Sequence, residues 1–162
     1  MSRPPRIRGF TYLGIHRYLL TFCTLERQPF FLNSTTVSQT LLQFRKTSSE
    51  EALAILAYCF MPDHAHLLVE GSEDRSDLRR FSKLAKQRSG GIHARLTGEP
   101  LWQEGYHDRV LRESEDLLTI ARYLLNNPIR AGLVATVIDY PHVGSDRWSL
   151  SELVEAQQTW RV

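Results

Sequence analysis

The residues in this chain best suited to chemistry are two histidines one residue apart. His64 and His66 lie in the apolar stretch YCFMPDHAHLLVEG, residues 58–71. Side chains alternate between faces along a strand, so an extended HAH points both imidazoles one way and Ala65 the other. Two neutral imidazoles about 7 Å apart at Cα, two steps of strand rise, can converge on one cation. A metal site needs at least a third ligand. The plainer reading is a histidine pair on a half-solvated face. A second cluster lies in ARYLLNNPIRAGL, where Tyr123 and Asn127 stand four apart and share a helical face. A Tyr in an amphipathic helix is ordinarily core or rim, and an Asn before Pro is ordinarily a turn residue. A phenol and an amide presented together nevertheless have a chemical use. A phenol's ordinary pKa is about 10, so at neutral pH a metal or a nearby base must activate it or its target.

Several elements must position these groups. IHRYLLTFCTL, residues 15–25, is rich in aromatic and β-branched residues and reads as a strand. TTVSQTLLQFRKTS carries Val37, Leu41, Leu42 and Phe44 near helical spacing, with Thr35 or Thr36 as cap. LAILAYCFM, residues 53–61, reads as a buried strand. Pro62-Asp63 turns the chain, and HAHLLVEG follows as its hairpin partner. In the next segment Leu78, Phe81, Leu84 and Ala85 fall on one helical face, and Gly90-Gly91 is expected to break or end that helix. Residues 101–112 read as a strand. Ser114, Asp116 and Leu117 open a helix that Asn127-Pro128 should end, because the residue before proline is pushed out of the α region. A loop-rich tail leads to SLSELVEAQQTW, a final helix capped by Ser149 or Ser151. Strand, helix, hairpin, helix, strand, helix specifies an α+β fold. It is a mostly antiparallel sheet with helices packed against it, in a ferredoxin-like sandwich.

The 162 residues make one domain's worth of chain, and at 42% hydrophobic it can bury a proper core. No apolar run approaches the roughly 20 residues of a membrane helix, and the basic N-terminus MSRPPRIRGF lacks the apolar segment of a signal peptide. Cys23 and Cys59 show no metal-type spacing and read as reduced core residues of a cytosolic protein. Net charge is only +2, but residues 75–95 hold seven Lys or Arg against one acid, Asp77. That excess is either a solvated helix face or a phosphate-binding surface.

MPDHAHLLV, LWQEGYHDRVLR and ARYLLNNPIRAGLV, in this order and spacing, resemble the HUH-type single-tyrosine transposases, and within them the REP-associated branch. The resemblance covers residues 9–148. It implies a transposase domain over 1–148 and a C-terminal helical tail over 149–162. It further implies His64, His66 and Asn127 as ligands of Mg²⁺ or Mn²⁺ and Tyr123 as nucleophile. The implied reaction is cleavage and rejoining of hairpin-bearing single-stranded DNA through a 5′-phosphotyrosine. The implied setting is the cytoplasm, on the nucleoid, as monomer or homodimer. On that view Arg79, Arg80, Lys83, Lys86 and Arg88 contact phosphates. Trp102, Tyr106 and His107 stack on unpaired bases, although core packing is an equal reading for Trp102. Asp108 and Arg109 orient metal water or phosphate, and Arg130 meets the DNA. The alternatives are a module that holds DNA or RNA hairpins without cutting, and a metal-dependent nuclease that uses water.

Overall fold

The computed structural model describes residues 6–155; most of the basic N-terminal arm and the end of the expected final helix lie outside them. The first strand, β1 (Arg17–Cys23), alternates buried and half-buried residues along its whole length, the signature of a strand with two unlike faces. A helix, α1 (Ser34–Glu50), leads into β2 (Leu53–Met61), and a two-residue turn joins β2 to β3 (His64–Gly71). Then come α2 (Leu78–Thr97), the short β4 (His107–Val110), α3 (Leu117–Leu125), a single turn α4 (Asn127–Arg130), the two-residue β5 (Val143–Gly144) and α5 (Leu150–Glu155). The strands form one antiparallel sheet in the order β4-β1-β3-β2-β5. Its first four strands follow the ferredoxin-like order.

Two cores lie on opposite sides of this sheet. On one side Tyr18, Leu20, Phe22, Ala65, Leu67 and Val69 pack with Phe44 of α1 and Phe81 of α2. On the other, Cys59, Met61 and Leu68 pack with Leu117, Ala121, Leu124 and Leu125 of α3 and with Leu153 of α5. A bulge between Ile55 and Ala57 breaks the alternation of β2, so that Leu56 and Ala57 both join the α3-side core. With both faces covered, β2 has to be apolar nearly throughout, as LAILAYCFM is.

The element order expected from the sequence is found, with differences at the ends. The cap of α1 is Asn33, whose Oδ1 accepts from the amides of Thr35 at 2.9 Å and Thr36 at 3.3 Å; neither threonine caps it. Gly90-Gly91 does not end α2, which continues to Thr97 and stops at left-handed Gly98, φ 78°. The reason is packing. A Cβ on Gly90 would lie 3.4 Å from Trp102, so a small residue there lets that ring approach the helix. Of the strand expected over 101–112 only His107–Val110 forms. Asp116 alone caps α3, accepting from the Thr119 amide at 3.0 Å. That helix ends at Leu125, and Asn127 and Pro128 begin α4. Ser149 opens α5, donating its amide to Glu152 Oε2 at 2.7 Å while its hydroxyl accepts from the Glu152 amide at 3.2 Å. Cys59 is buried and Cys23 only partly so, and both are free.

Candidate active site

His64 and His66 project from the central strand β3 onto the α3 side of the sheet, opposite to Ala65 and Leu67. Their Nε2 atoms lie 3.1 Å apart. Each Nδ1 is engaged on the outer side: His64 Nδ1 is 2.6 Å from Asp63 Oδ1, and His66 Nδ1 is 2.9 Å from Thr21 Oγ1. Burial alone pulls the Asp63 pKa up, but the bonds from His64 and Arg27 outweigh it and hold the carboxyl below its usual value. An ionised carboxylate only accepts, so His64 Nδ1 carries a hydrogen, and in the neutral ring that leaves the lone pair on Nε2. Burial first, then the charges of His64, Arg130 and Arg27, push the His66 pKa down to about 4, so this ring is neutral at pH 7. With its hydrogen on Nδ1, donated to Thr21, His66 presents a second lone pair. Two nitrogens each about 2.1 Å from one ion and 3.1 Å from each other subtend nearly a right angle, so the pair fits a cation. Among the described residues, no group of three or more His, Cys, Asp or Glu side chains is arranged to hold a metal. Among these residues, a third protein ligand would have to come from another donor type, such as an amide oxygen.

The turn that starts β3 is anchored by the segment that follows β1. Thr24 donates its amide to the Asp63 carbonyl at 3.0 Å, its hydroxyl lies between the Gln28 carbonyl at 2.7 Å and the Asp63 carbonyl at 2.9 Å, and the Phe31 amide donates to the Pro62 carbonyl at 3.0 Å. Arg27 Nε donates to Asp63 Oδ2 at 2.9 Å, and Nη1 reaches Cys23 Sγ at 3.1 Å. Thr21, Arg27 and Asp63 were not among the residues expected at the site. Arg27 and Asp63 are 36 positions apart in sequence, and no local pattern pairs them. Thr21 directly opposes His66 once β1 is paired with β3, so strand pairing alone points to it.

Tyr123 lies on α3 and is 62% exposed, whereas the apolar residues around it on that helix are buried or half-buried. Asn127 opens α4, which packs on β2 beside the histidines. The four-residue spacing does not place the two on one continuous helix, because Asn126 separates α3 from α4; Arg130 joins them instead. Its guanidinium lies 3.8 Å over the Tyr123 ring, Nη1 donates to the Tyr123 carbonyl at 2.8 Å, and Nη2 donates to Asn127 Oδ1 at 2.7 Å. Asn127 Nδ2 donates to the Leu124 carbonyl at 2.8 Å. The Arg130 charge acts on both His66 and Cys59, which places this turn on the β2 flank of the histidine pair.

The other expected contacts divide between the two faces. His107 opposes Thr21, and Arg109 opposes Leu19, so both stand on the histidine face at the exposed edge strand. Arg109 pairs there with Glu115 at 2.7 Å. Asp108 points the other way and pairs with Arg6. The α2 cations lie across the sheet from the histidines. Arg79 lies over the Tyr12 ring at 4.9 Å, Arg80 pairs with Glu51 at 2.8 Å, and Arg88 pairs with Glu50 at 2.5 Å. Lys86 donates to the Gln103 and Gly105 carbonyls. Trp102 is half-buried against Phe22, Phe31 and Phe44, its indole N–H donating to Ser89 Oγ at 2.9 Å. With Arg79, Lys83, Lys86 and Tyr106 it lines a groove of about 880 Å³.

The fold is that of transposases of known structure. One is a REP-associated tyrosine transposase bound to a REP hairpin: TM-score 0.70, 21% identity, 88% of this chain and 82% of that one covered. Another is a Deinococcus radiodurans protein described as a transposase: TM-score 0.53, 21% identity, 76% of this chain and 97% of that one covered. The sequence carries the assignment further. The family model described as transposase IS200 like matches residues 14–127, and the chain belongs to that family. It is thus an enzyme that acts on DNA. A Haemophilus influenzae protein named as a REP-associated tyrosine transposase is 24% identical, with 83% of this chain and 81% of that one covered. No helix among the described residues is long and apolar enough to cross a membrane.

Proposed function

We propose that this transposase is a metal-dependent single-stranded DNA endonuclease and transesterase that cleaves and rejoins hairpin-bearing DNA through a 5′-phosphotyrosine. The observation that carries this reading is the 3.1 Å approach of the His64 and His66 Nε2 atoms, with both Nδ1 atoms already engaged. His64 and His66 would hold the ion, and Asn127 Oδ1 would join them once it leaves Arg130. When bound there, Mg²⁺ or Mn²⁺ supplies charge neutralisation at the scissile phosphate. Tyr123 is the nucleophile. Its oxygen forms a bond to phosphorus as the bond to the 3′-oxygen breaks, and its proton is given up while the 3′-oxygen leaves as a hydroxyl. One phosphodiester replaces another, so a later 3′-hydroxyl can reverse the step and rejoin strands.

Arg130, Arg109 and His107 edge the histidine face and would meet the strand near the cut. Trp102 and the α2 residues Arg79, Arg80, Lys83, Lys86 and Arg88 would bind the hairpin farther away, and the pairs at Glu50 and Glu51 must open for Arg88 and Arg80 to do so. The catalytic domain is residues 1–148, with 149–162 as its C-terminal tail. The protein works in the cytoplasm on the nucleoid, as monomer or homodimer.

The test is a labelled hairpin-tailed single strand with Mg²⁺ or Mn²⁺. A denaturation-resistant protein–DNA adduct should form, disappear in Tyr123→Phe, and fall at least about 10²-fold in His64→Ala and His66→Ala. Hairpin affinity should barely change in these variants, because phosphate contacts supply most of it. Cleavage undiminished in Tyr123→Phe would replace this reading with a water-using nuclease. Binding without cleavage under either metal would leave a hairpin-binding module.

A further inference from the structure

The turn before the histidine strand is held more firmly than a hairpin requires. Beyond the two backbone amides that donate to its carbonyls, both carboxylate oxygens of Asp63 are engaged. Oδ1 takes the His64 Nδ1–H at 2.6 Å and Oδ2 takes Arg27 Nε–H at 2.9 Å. Arg27 sits in a single 3₁₀ turn, Leu25–Arg27, where two consecutive non-glycine residues, Glu26 at φ 51° and Arg27 at φ 57°, adopt the left-handed conformation. L-residues rarely visit that region, and from this turn the Arg27 side chain reaches Asp63 across the hairpin. Arg27 Nη2 also comes within 3.4 Å of His64 Nδ1, but that nitrogen has given its hydrogen to Asp63 and cannot accept.

We propose that Arg27 and Asp63 are positioning residues for His64: the carboxylate, fixed by the guanidinium, holds the ring as its Nδ1–H tautomer and aims the Nε2 lone pair toward His66. Neither residue touches the reacting atoms. The consequence for metal binding rests on His64 being a ligand, as proposed above; the tautomer itself does not. Asp63 is suited to this task because it has no choice of role: an ionised carboxylate can only accept. Arg27 prevents that carboxylate from rotating away and offsets its charge, so the pair adds orientation without adding net charge beside the phosphate-binding face. Carboxylate partners of this kind orient metal-binding histidines generally.

Long-range ¹H–¹⁵N correlation spectra of the metal-free, histidine-labelled full chain at neutral pH test the tautomer directly. The wild type should show His64 protonated on Nδ1. Asp63→Ala should lose that preference, and Asp63→Asn should keep it, because an amide oxygen still accepts. Arg27→Ala should keep it only in part. Unmoved signals from His93 and His142 establish that each variant is folded. Mn²⁺ titration should then show affinity reduced about 10–100-fold in Asp63→Ala and less in Asp63→Asn, with metal-free hairpin affinity unchanged. An Nε2–H His64 in the wild type, or an unchanged spectrum in Asp63→Ala, overturns the proposal. So does Mn²⁺ binding that His64→Ala abolishes and Asp63→Ala leaves intact. If Asp63→Ala shifts the tautomer but neither it nor His64→Ala alters Mn²⁺ binding, the positioning pair stands and the ligand role of His64 falls.

Discussion

His66 is a histidine with two settings, and a single proton separates them. With its hydrogen on Nε2 it bridges to the His64 lone pair 3.1 Å away; with the hydrogen on Nδ1 it donates to Thr21 and turns a lone pair inward. Either form is neutral, and a second proton would place a cation in a buried position beside Arg130 and Arg27. That is why the folded pKa drops from 6.5 to about 4. The sign of the effect on stability follows. As pH falls through 6.5 the unfolded chain takes up a proton at this residue that the folded protein refuses. Metal-free stability should therefore decline between pH 6.5 and 4, by roughly 3 kcal/mol from this residue at the lower end. Urea unfolding at several pH values checks this, and His66→Gln should flatten the decline. An equal slope in that variant would mean His66 is not the group responsible.

The hairpin that carries the histidines, the common facing of the two imidazoles and the order of the main elements could be read from the sequence, because each depends on residues near one another in the chain. What could not be read depends on distant partners. β5 is two residues that pair only because β2 already lies beside them. Arg27 reaches Asp63 only after β1 and β3 are aligned. The α2 helix shows the same limit from the other side. Two adjacent glycines are a local signal to stop, but packing against α1 and the Trp102 ring keeps the helix going. Their costs should differ. A Cβ on Gly91 meets nothing within 4 Å, so Gly91→Ala should stabilise by about 0.5–1 kcal/mol and raise Tm by about 2–3 °C. Gly90→Ala should gain less, because Trp102 must give way. Thermal unfolding of the two variants settles it; an equal gain in both would mean Trp102 does not hold the helix close.

The whole molecule is a sheet with the histidine pair on one face and the clustered α2 cations on the other. His64, His66, His107 and Arg109 stand on the α3 side, and the α2 cations and the Trp102 groove stand behind. A hairpin that used both would have to pass round the sheet. Charge reversal at Arg79 and Lys83 should then weaken binding across all hairpin sequences and flatten its salt dependence by about one unit of slope per lost phosphate contact. It should leave the cleavage step of bound DNA nearly unchanged. An unaltered salt slope would return α2 to a solvated face. The claim on which the account turns is narrower: Tyr123, and no other nucleophile, takes the phosphate held over His64 and His66. Mass spectrometry of the protease-digested protein–DNA adduct tests it most directly. The expected product is a peptide containing Tyr123 joined through its phenolic oxygen to the 5′-phosphate of the cleaved strand. A 3′-linked adduct, attachment at another residue, or clean cleavage with no adduct at all would contradict it.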